Sequence, residues 1–241
     1  MPASREIIIS ARASERIAAA RAWLESQSSA SEILVIASVK EAADDLVRAF
    51  ALSRGAMLGV HRLTLNRLVG LLAAEVLADA GLAPADGLAA EAVAARAVFR
   101  LAPSGALEHF APVLNLPGFS RALARTLIEL RWNDVAVDDL RALGGAGEAI
   151  AATLAQFDAE LADARLIDRA GMLKVATRAV LASEPPRFVG LPVLLLDISA
   201  DSALDRNFIA ALAARSPSIL ATIPAGDAPV QTLLEDALGV R

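Results

Sequence analysis

Apolar runs and helical periodicities alternate along the first part of the chain. Glu6-Ile7-Ile8-Ile9-Ser10 is short and β-branched and reads as a strand. A helix from 14 to about 27 follows, with Ile17, Ala20, Trp23 and Leu24 at helical spacing and Ser14 placed to cap it. Ile33-Leu34-Val35-Ile36-Ala37 is apolar at every position, the pattern of a parallel strand covered on both faces. Ser38-Val39-Lys40-Glu41 fits a capping box that opens a helix through Phe50, and Gly55 closes that unit. Leu58-Gly59-Val60-His61-Arg62 predicts a third strand, and Thr64 caps a long helix ending before Gly81.

The middle of the chain changes character. Between about 88 and 182 the spacing predicts helices over 89–101, 118–131, 135–143, 148–162 and 169–181, and no strand. The breaks carry Pro103, Gly105, Pro117, Gly144, Gly145, Pro185 and Pro186. The sheet pattern then returns. Val193-Leu194-Leu195-Leu196-Asp197 is a buried strand ending in a carboxylate, 199–214 suits a helix, and Ser218-Ile219-Leu220-Ala221-Thr222-Ile223 is another strand. Strand–helix alternation favours a parallel α/β sheet. The expected fold is therefore an α/β core in two sequence pieces, 1–87 and 183–241, interrupted by an all-helical insertion subdomain over 88–182.

Composition narrows the function classes. With 241 residues the chain holds one large domain or two small ones. There is no Cys, which removes disulfides, thiolate catalysis and thiolate zinc sites, and with 2 His a histidine-rich metal cluster is excluded. A net charge of −5 and 4% aromatics argue against a free-standing nucleic-acid binder. The 56% hydrophobic content and mean hydropathy of +0.50 are high, and surface normally covered by more protein is one explanation. No run of 18 apolar residues is free of charge, since Glu75 and Asp79 interrupt 71–82, so no membrane span is predicted. The absence of an export-type leader, together with the lack of Cys, points to the cytoplasm.

Ligands of doubly wound sheets bind at the carboxyl ends of the strands. The segment after the first strand is Ser10-Ala11-Arg12-Ala13-Ser14-Glu15-Arg16-Ile17. A phosphate-binding loop needs glycines to let backbone N–H groups wrap the phosphates, a Lys for the β/γ-phosphates and a Ser or Thr for Mg²⁺. This segment has neither Gly nor Lys, and the chain's lysines are Lys40 and Lys174. For Arg12 and Arg16 the default reading is a solvated surface position, and the functional one is an anion contact at the helix start. Asp197 stands where a Walker B carboxylate would serve Mg²⁺, but the following residue is Ile198 and not a water-polarising Glu. For Asp197 and Asp201 the structural reading is a loop or helix cap. His61 and His109 have no local nucleophile pattern, and Asp158, Glu160, Asp163 and Asp168 read as the solvated face and end of a helix. Trp23 and Trp132 read as packing residues.

The order of these pieces resembles the N-terminal part of superfamily 1 helicases of the UvrD/Rep type. More narrowly, it is similar to the inactivated helicase-like region of AddB/RexB-type subunits of helicase–nucleases. The segment 7–17 sits at the Walker A position. The run from Ile33 to Ala43 is similar to motif Ia. Arg62-Leu63-Thr64-Leu65-Asn66-Arg67-Leu68 resembles the "R-x-TL-x-x-L" segment, and Leu166-Ile167-Asp168-Arg169-Ala170-Gly171-Met172-Leu173 resembles the "l-x-D-x-x-x-l-l" segment. The stretch 193–205 aligns with the Walker B "DE-x-QD" segment, and Thr222-Ile223-Pro224-Ala225-Gly226-Asp227 takes the place of the "vGD" motif III.

The resemblance implies a P-loop-NTPase-like core (1A-like) with a 1B-like insertion. It also implies a vestigial nucleotide site at Arg12, Ser14, Arg16 and Asp197 without catalytic residues, metal or cofactor. The expected role is a non-catalytic scaffold in DNA double-strand-break repair that docks a helicase–nuclease motor subunit and lines a DNA channel. Arg62, Arg67, Arg121, Arg125 and Arg131 are the candidate phosphate contacts within the full complex. Family members continue to a second helicase-like half and a C-terminal PD-(D/E)xK nuclease, neither of which is present here, so the chain is expected to be a fragment of an exonuclease/helicase subunit. Two alternatives stand beside this reading: a divergent nucleotide-binding NTPase domain, and an α/β-helical interaction module unrelated to DNA.

Overall fold

The computed structural model describes residues 4–28, 31–54, 58–116 and 118–240. In chain order its elements begin β1 (Ser4–Ser10), α1 (Ala13–Ser26), β2 (Ile33–Ala37), α2 (Lys40–Arg54), β3 (Val60–Thr64) and α3 (Leu65–Ala80). They continue β4 (Ala83–Pro84), α4 (Gly87–Leu101), α5 (Phe119–Trp132), α6 (Val137–Arg141), α7 (Ala146–Asp163), β5 (Leu166–Ile167) and α8 (Arg169–Leu181). The chain closes with β6 (Val193–Leu196), α9 (Ala203–Arg215), β7 (Ser218–Pro224) and α10 (Ala228–Leu238). Two short 3₁₀ turns, Ala102–Ser104 and Glu108–Phe110, lie between α4 and α5.

The chain divides into two compact units, one made of 1–73 with 175–241 and the other of 74–174. The division falls inside α3 and α8, and not at the Pro/Gly-rich stretches 83–87 and 184–186 that mark it in the sequence.

The first unit is built on a five-stranded sheet of order β1-β7-β6-β2-β3 in which every pairing is parallel. β2 and β6 are buried at every position, which explains their uninterrupted apolar sequences. β1 and β3 are the edges and keep polar positions. On one face, Ala20 and Leu24 of α1 and Leu46 and Phe50 of α2 pack with Val35, Leu194 and Leu220 of the sheet. The register sets Ser10 beside Pro224, Leu196 beside Thr222, and Ala37 beside both Leu196 and Thr64. The segments leaving the strands therefore emerge along one carboxyl edge.

In the second unit Val93, Ala97, Leu127, Leu154, Phe157 and Leu161 carry the core shared by α4, α5 and α7. The expectation of no strand over 88–182 needs correction: the two-residue β5 pairs in parallel with β4, through backbone bonds from Ala83 to Arg165 and from Ala85 to Ile167. Two residues are too few to give a period-2 signal.

Thr64 caps α3 as expected, its hydroxyl accepting from the Arg67 N–H at 3.2 Å. Ser14 does not cap α1. The helix begins at Ala13, its N-cap is Arg12, and no side chain caps it. α9 starts later than the sequence suggests because Ser202 is its cap, with the Ser202 hydroxyl accepting from the Asp205 N–H. Gly55 lies outside the described residues. Among the described residues no helix is long and apolar enough to cross a membrane.

Candidate functional site

The segments picked out by sequence meet at the carboxyl edge of the sheet. After β1 the chain turns into α1 across only Ala11 and Arg12. Such a turn is too tight for a phosphate cradle, and with no Gly in it the backbone N–H groups cannot converge on an anion. Its polar groups satisfy one another instead. The Ser10 hydroxyl accepts from the Arg12 N–H at 3.0 Å and donates to Glu15 Oε2 at 2.6 Å, while Arg12 Nη1 reaches Glu15 Oε1 at 3.0 Å. The hydrogen bond from Ser10, followed by that from Arg12, holds the Glu15 carboxyl below its usual range. A carboxylate thus stands in the first turn of α1, where a phosphate would need a donor.

Arg16 is the residue sequence reasoning placed wrongly. It is not a solvated surface arginine. Its side chain is 8% exposed, and its guanidinium is spent on the end of β6. Nε donates to Asp197 Oδ1 and Oδ2 at 2.9 and 3.1 Å, Nη2 donates to Oδ2 at 3.0 Å, and Nη1 donates to the Ser10 carbonyl at 2.6 Å. This two-pronged geometry is the strong form of a charge-assisted pair.

Asp197 is bound from its other side as well. The Thr222 hydroxyl donates to Oδ1 at 2.7 Å, and the Asp197 N–H is directed at the Thr222 hydroxyl at 3.1 Å and the Thr222 carbonyl at 3.2 Å. These contacts hold Asp197 at φ +46°, in the left-handed region that Asp tolerates better than most residues. Asp197 therefore caps neither a helix nor an open metal site. Ile198 is buried in the core and offers no polar group. Asp201 is exposed, whereas Asp205 is fully buried and accepts from the Ser202 hydroxyl at 2.7 Å. In the last of these segments, Asp227 caps α10 by accepting from the Val230 N–H, and Ala225 N–H donates to Ser10 O.

The structure thus brings together Arg16 and Asp197 of the four sequence-predicted nucleotide-site residues. Arg12 is paired locally with Glu15, and Ser14 is exposed within α1. Among the described residues no group of three or more His, Asp or Glu is arranged to hold a metal ion. Thr222 is the partner the sequence reading missed. Its signal was a hydroxyl in the apolar interior of β7, paired with Leu196, the last residue of β6.

The five arginines proposed for phosphate contact divide by unit. Arg62 faces Asp44 at 3.3 Å, and Arg67 is exposed. Arg121 faces Glu91 at 3.3 Å, and Arg125 is exposed with no ion-pair partner among the described residues. Arg131 is a structural residue. Its Nε and Nη2 donate to Asp168 at 2.7 and 3.0 Å, Nη1 pairs with Asp158, and its Cζ lies 5.8 Å from the Phe157 ring centroid.

The carboxylates 158–168 are not all a solvated face. Asp168 is 5% exposed and its Oδ1 also accepts from the Gly171 N–H at 2.9 Å. Glu160 is 2% exposed beneath Arg96 and Arg100. Gly171 is required here, because a Cβ would come 2.6 Å from Ile167 Cγ1. Trp132 packs under the Arg169 guanidinium at 5.0 Å. His61 bonds Glu32 at 2.5 Å and meets Phe188 edge-on, and His109 is exposed beside Phe110.

Compared with known proteins, the chain matches no family model. No curated protein matches it either.

Proposed function

We propose that the chain is a non-catalytic, helicase-like scaffold from the N-terminal region of an AddB/RexB-type helicase–nuclease subunit. Unit 1–73 with 175–241 is read as a 1A-like P-loop-NTPase core and unit 74–174 as a 1B-like insertion. The reading is carried by one observation. The Walker A-like, Walker B-like and motif III-like segments converge at one sheet edge, yet they meet by bonding to each other through Arg16, Asp197 and Thr222.

In a working phosphoryl-transfer site the corresponding carboxylate serves Mg²⁺ and a cation neutralises the phosphates. Here the cation is a protein side chain and it neutralises the carboxylate. Both charges are consumed inside the fold, so a Mg-nucleotide at this edge would meet neither an unpaired Asp197 nor an unpaired Arg16. The work left to such a domain is architectural: docking the motor subunit in the cytoplasm and, through arginines such as Arg62, Arg67, Arg121 and Arg125, forming one wall of a DNA channel.

Calorimetric titration with Mg-ATP tests this. The expected result is no heat of binding at micromolar nucleotide and no turnover. Micromolar affinity with hydrolysis would establish the divergent NTPase instead. Fluorescence anisotropy with single- and double-stranded DNA across a salt series tests the channel role. One wall leaves most phosphates in water, so the isolated chain should bind weakly. Submicromolar binding at physiological salt with a steep salt slope would make it a DNA-binding module in its own right.

A further inference from the structure

The outward face of α4 is an unpartnered apolar stripe. Leu88, Ala92, Ala95 and Phe99 recur at 4, 3 and 4 residue steps, which puts them on one side of the helix, opposite the buried Ala90, Val93, Ala94 and Ala97. Leu88 is 76% exposed and Phe99 is 78% exposed. From Leu88 to Phe99 the stripe takes in 12 residues of helix, a length of about 17 Å. It borders an open groove of about 650 Å³ whose far side is Gly118, Ser120 and Arg121 at the start of α5. Large aromatic and aliphatic side chains at both ends, with alanines between, let another backbone come close in the middle and be gripped at two points.

The rim carries the sign of charge opposite to that of the chain as a whole. Arg121 lines the groove, and Arg125 lies one turn further along the same side of α5. On the other side of the stripe stand Arg96 and Arg100, whose side chains are 55% and 62% exposed above the buried Glu160. Glu91 lines the groove and is paired with Arg121, and the exposed Glu129 follows Arg125 by four residues along α5. Against a net charge of −5 for the chain, this apolar stripe lies between two arginine rails.

We propose that this face is a docking site for an amphipathic helix of a partner protein, one whose apolar stripe is flanked by carboxylates. The partner would lay its stripe on Leu88, Ala92, Ala95 and Phe99 and set its carboxylates against Arg121 and Arg125 on one side and Arg96 and Arg100 on the other. Nucleic acid fits the rails but not the centre. Phosphates aligned on the arginines would run over Leu88, Ala92 and Ala95, which offer a backbone or a sugar nothing to bond, and leave Phe99 alone to stack on a base. The proposal rests on this face alone and holds whether or not unit 1–73 with 175–241 is helicase-like.

The test uses the full chain and three labelled probes in fluorescence anisotropy. They are a helical peptide of about 20 residues with a Leu/Ala face and Glu flanks, the same peptide with Lys flanks, and a single-stranded DNA of similar length. The Glu-flanked peptide should bind with a dissociation constant below about 100 μM, and the Lys-flanked peptide at least about tenfold more weakly. Phe99→Asp should weaken the Glu-flanked peptide by about tenfold or more. The pair Arg121→Glu and Arg125→Glu should reverse the preference between the two peptides, which a merely structural role for these exposed residues would not do. All three positions are exposed, so circular dichroism and the melting temperature should match the parent chain. No measurable binding of the Glu-flanked peptide, or equal binding of both peptides, overturns the proposal. DNA bound more tightly than either peptide and indifferent to Phe99→Asp assigns the face to nucleic acid instead.

Discussion

The Arg16–Asp197 pair should behave as an energetic unit in a double-mutant cycle. Arg16 donates through three nitrogens, two of them to Asp197, and its side chain is 8% exposed against 29% for Asp197. Breaking a fully buried pair by removing one partner costs about 3–5 kcal/mol, because a charge is left buried without compensation. Asp197→Asn keeps the shape, an acceptor oxygen and the tolerance for positive φ, but leaves the guanidinium facing a neutral amide. The expected loss is therefore in or below the lower part of that range, about 2–4 kcal/mol. Arg16→Met leaves a carboxylate with nearly a third of its surface in water and the Thr222 hydroxyl still donating to it, for about 1–3 kcal/mol.

With both changes made, no buried charge remains. The double variant should then lie close to Arg16→Met alone and well short of the sum, with a coupling energy of at least about 1.5 kcal/mol. Urea unfolding followed by circular dichroism measures all four corners of the cycle. The melting temperature should fall by about 2–4 °C for each kcal/mol lost. Additivity within about 0.5 kcal/mol would show that the two groups do not work together, and the pair could not then be what fills the carboxyl edge.

Three further outcomes are expected. Gly147→Ala should destabilise the second unit by about 1–3 kcal/mol, since a Cβ there would come 2.5 Å from Leu140 O and 2.7 Å from Leu143 Cβ, and thermal unfolding reads this directly. Asp168→Ala should cost about 2–4 kcal/mol, because Arg131 loses its two-pronged partner and the Gly171 N–H its acceptor; a loss under about 0.5 kcal/mol in urea unfolding would remove Arg131 from the structural residues. Glu15 and Glu32 have carboxyl pKa values below the usual 4.5, through hydrogen bonds from Ser10 and Arg12 and from His61 respectively. Both depressed carboxyls contribute stability that is present above pH 4.5 and lost as pH falls through their lower folded values, so Glu15→Gln and Glu32→Gln should each flatten the acid limb of a stability–pH profile and leave its neutral plateau little changed.

The carboxyl edge divides into what spacing could disclose and what it could not. The strands were legible because β2 and β6, buried on both faces, have no polar position to blur their boundaries. Asp197 stood out as a candidate because a carboxylate ends such a strand. Arg16 was not, and the reason is distance along the chain. Its partner lies 181 residues away, and no local pattern distinguishes an arginine that returns to the sheet from one that faces water. The same holds for Arg131 with Asp168, 37 residues apart, and for Glu160, whose burial comes from Arg96 and Arg100 on another helix. In each case the sequence displayed a charge and the fold supplied its counter-charge.

That difference bears on how an absent motif is read. A loop without Gly or Lys argues only that a nucleotide would be held poorly. A guanidinium bonded to the carboxylate that follows β6, with Thr222 closing its other side, argues that the place is taken. For a phosphate to take the place of Asp197, the hydrogen bonds from Arg16 would have to break and the buried guanidinium would need a new partner. Introducing a Lys or a Gly into the turn would leave that barrier in place, so the pairing of Arg16 with Asp197 weighs against nucleotide binding at this edge more heavily than the composition of the turn does.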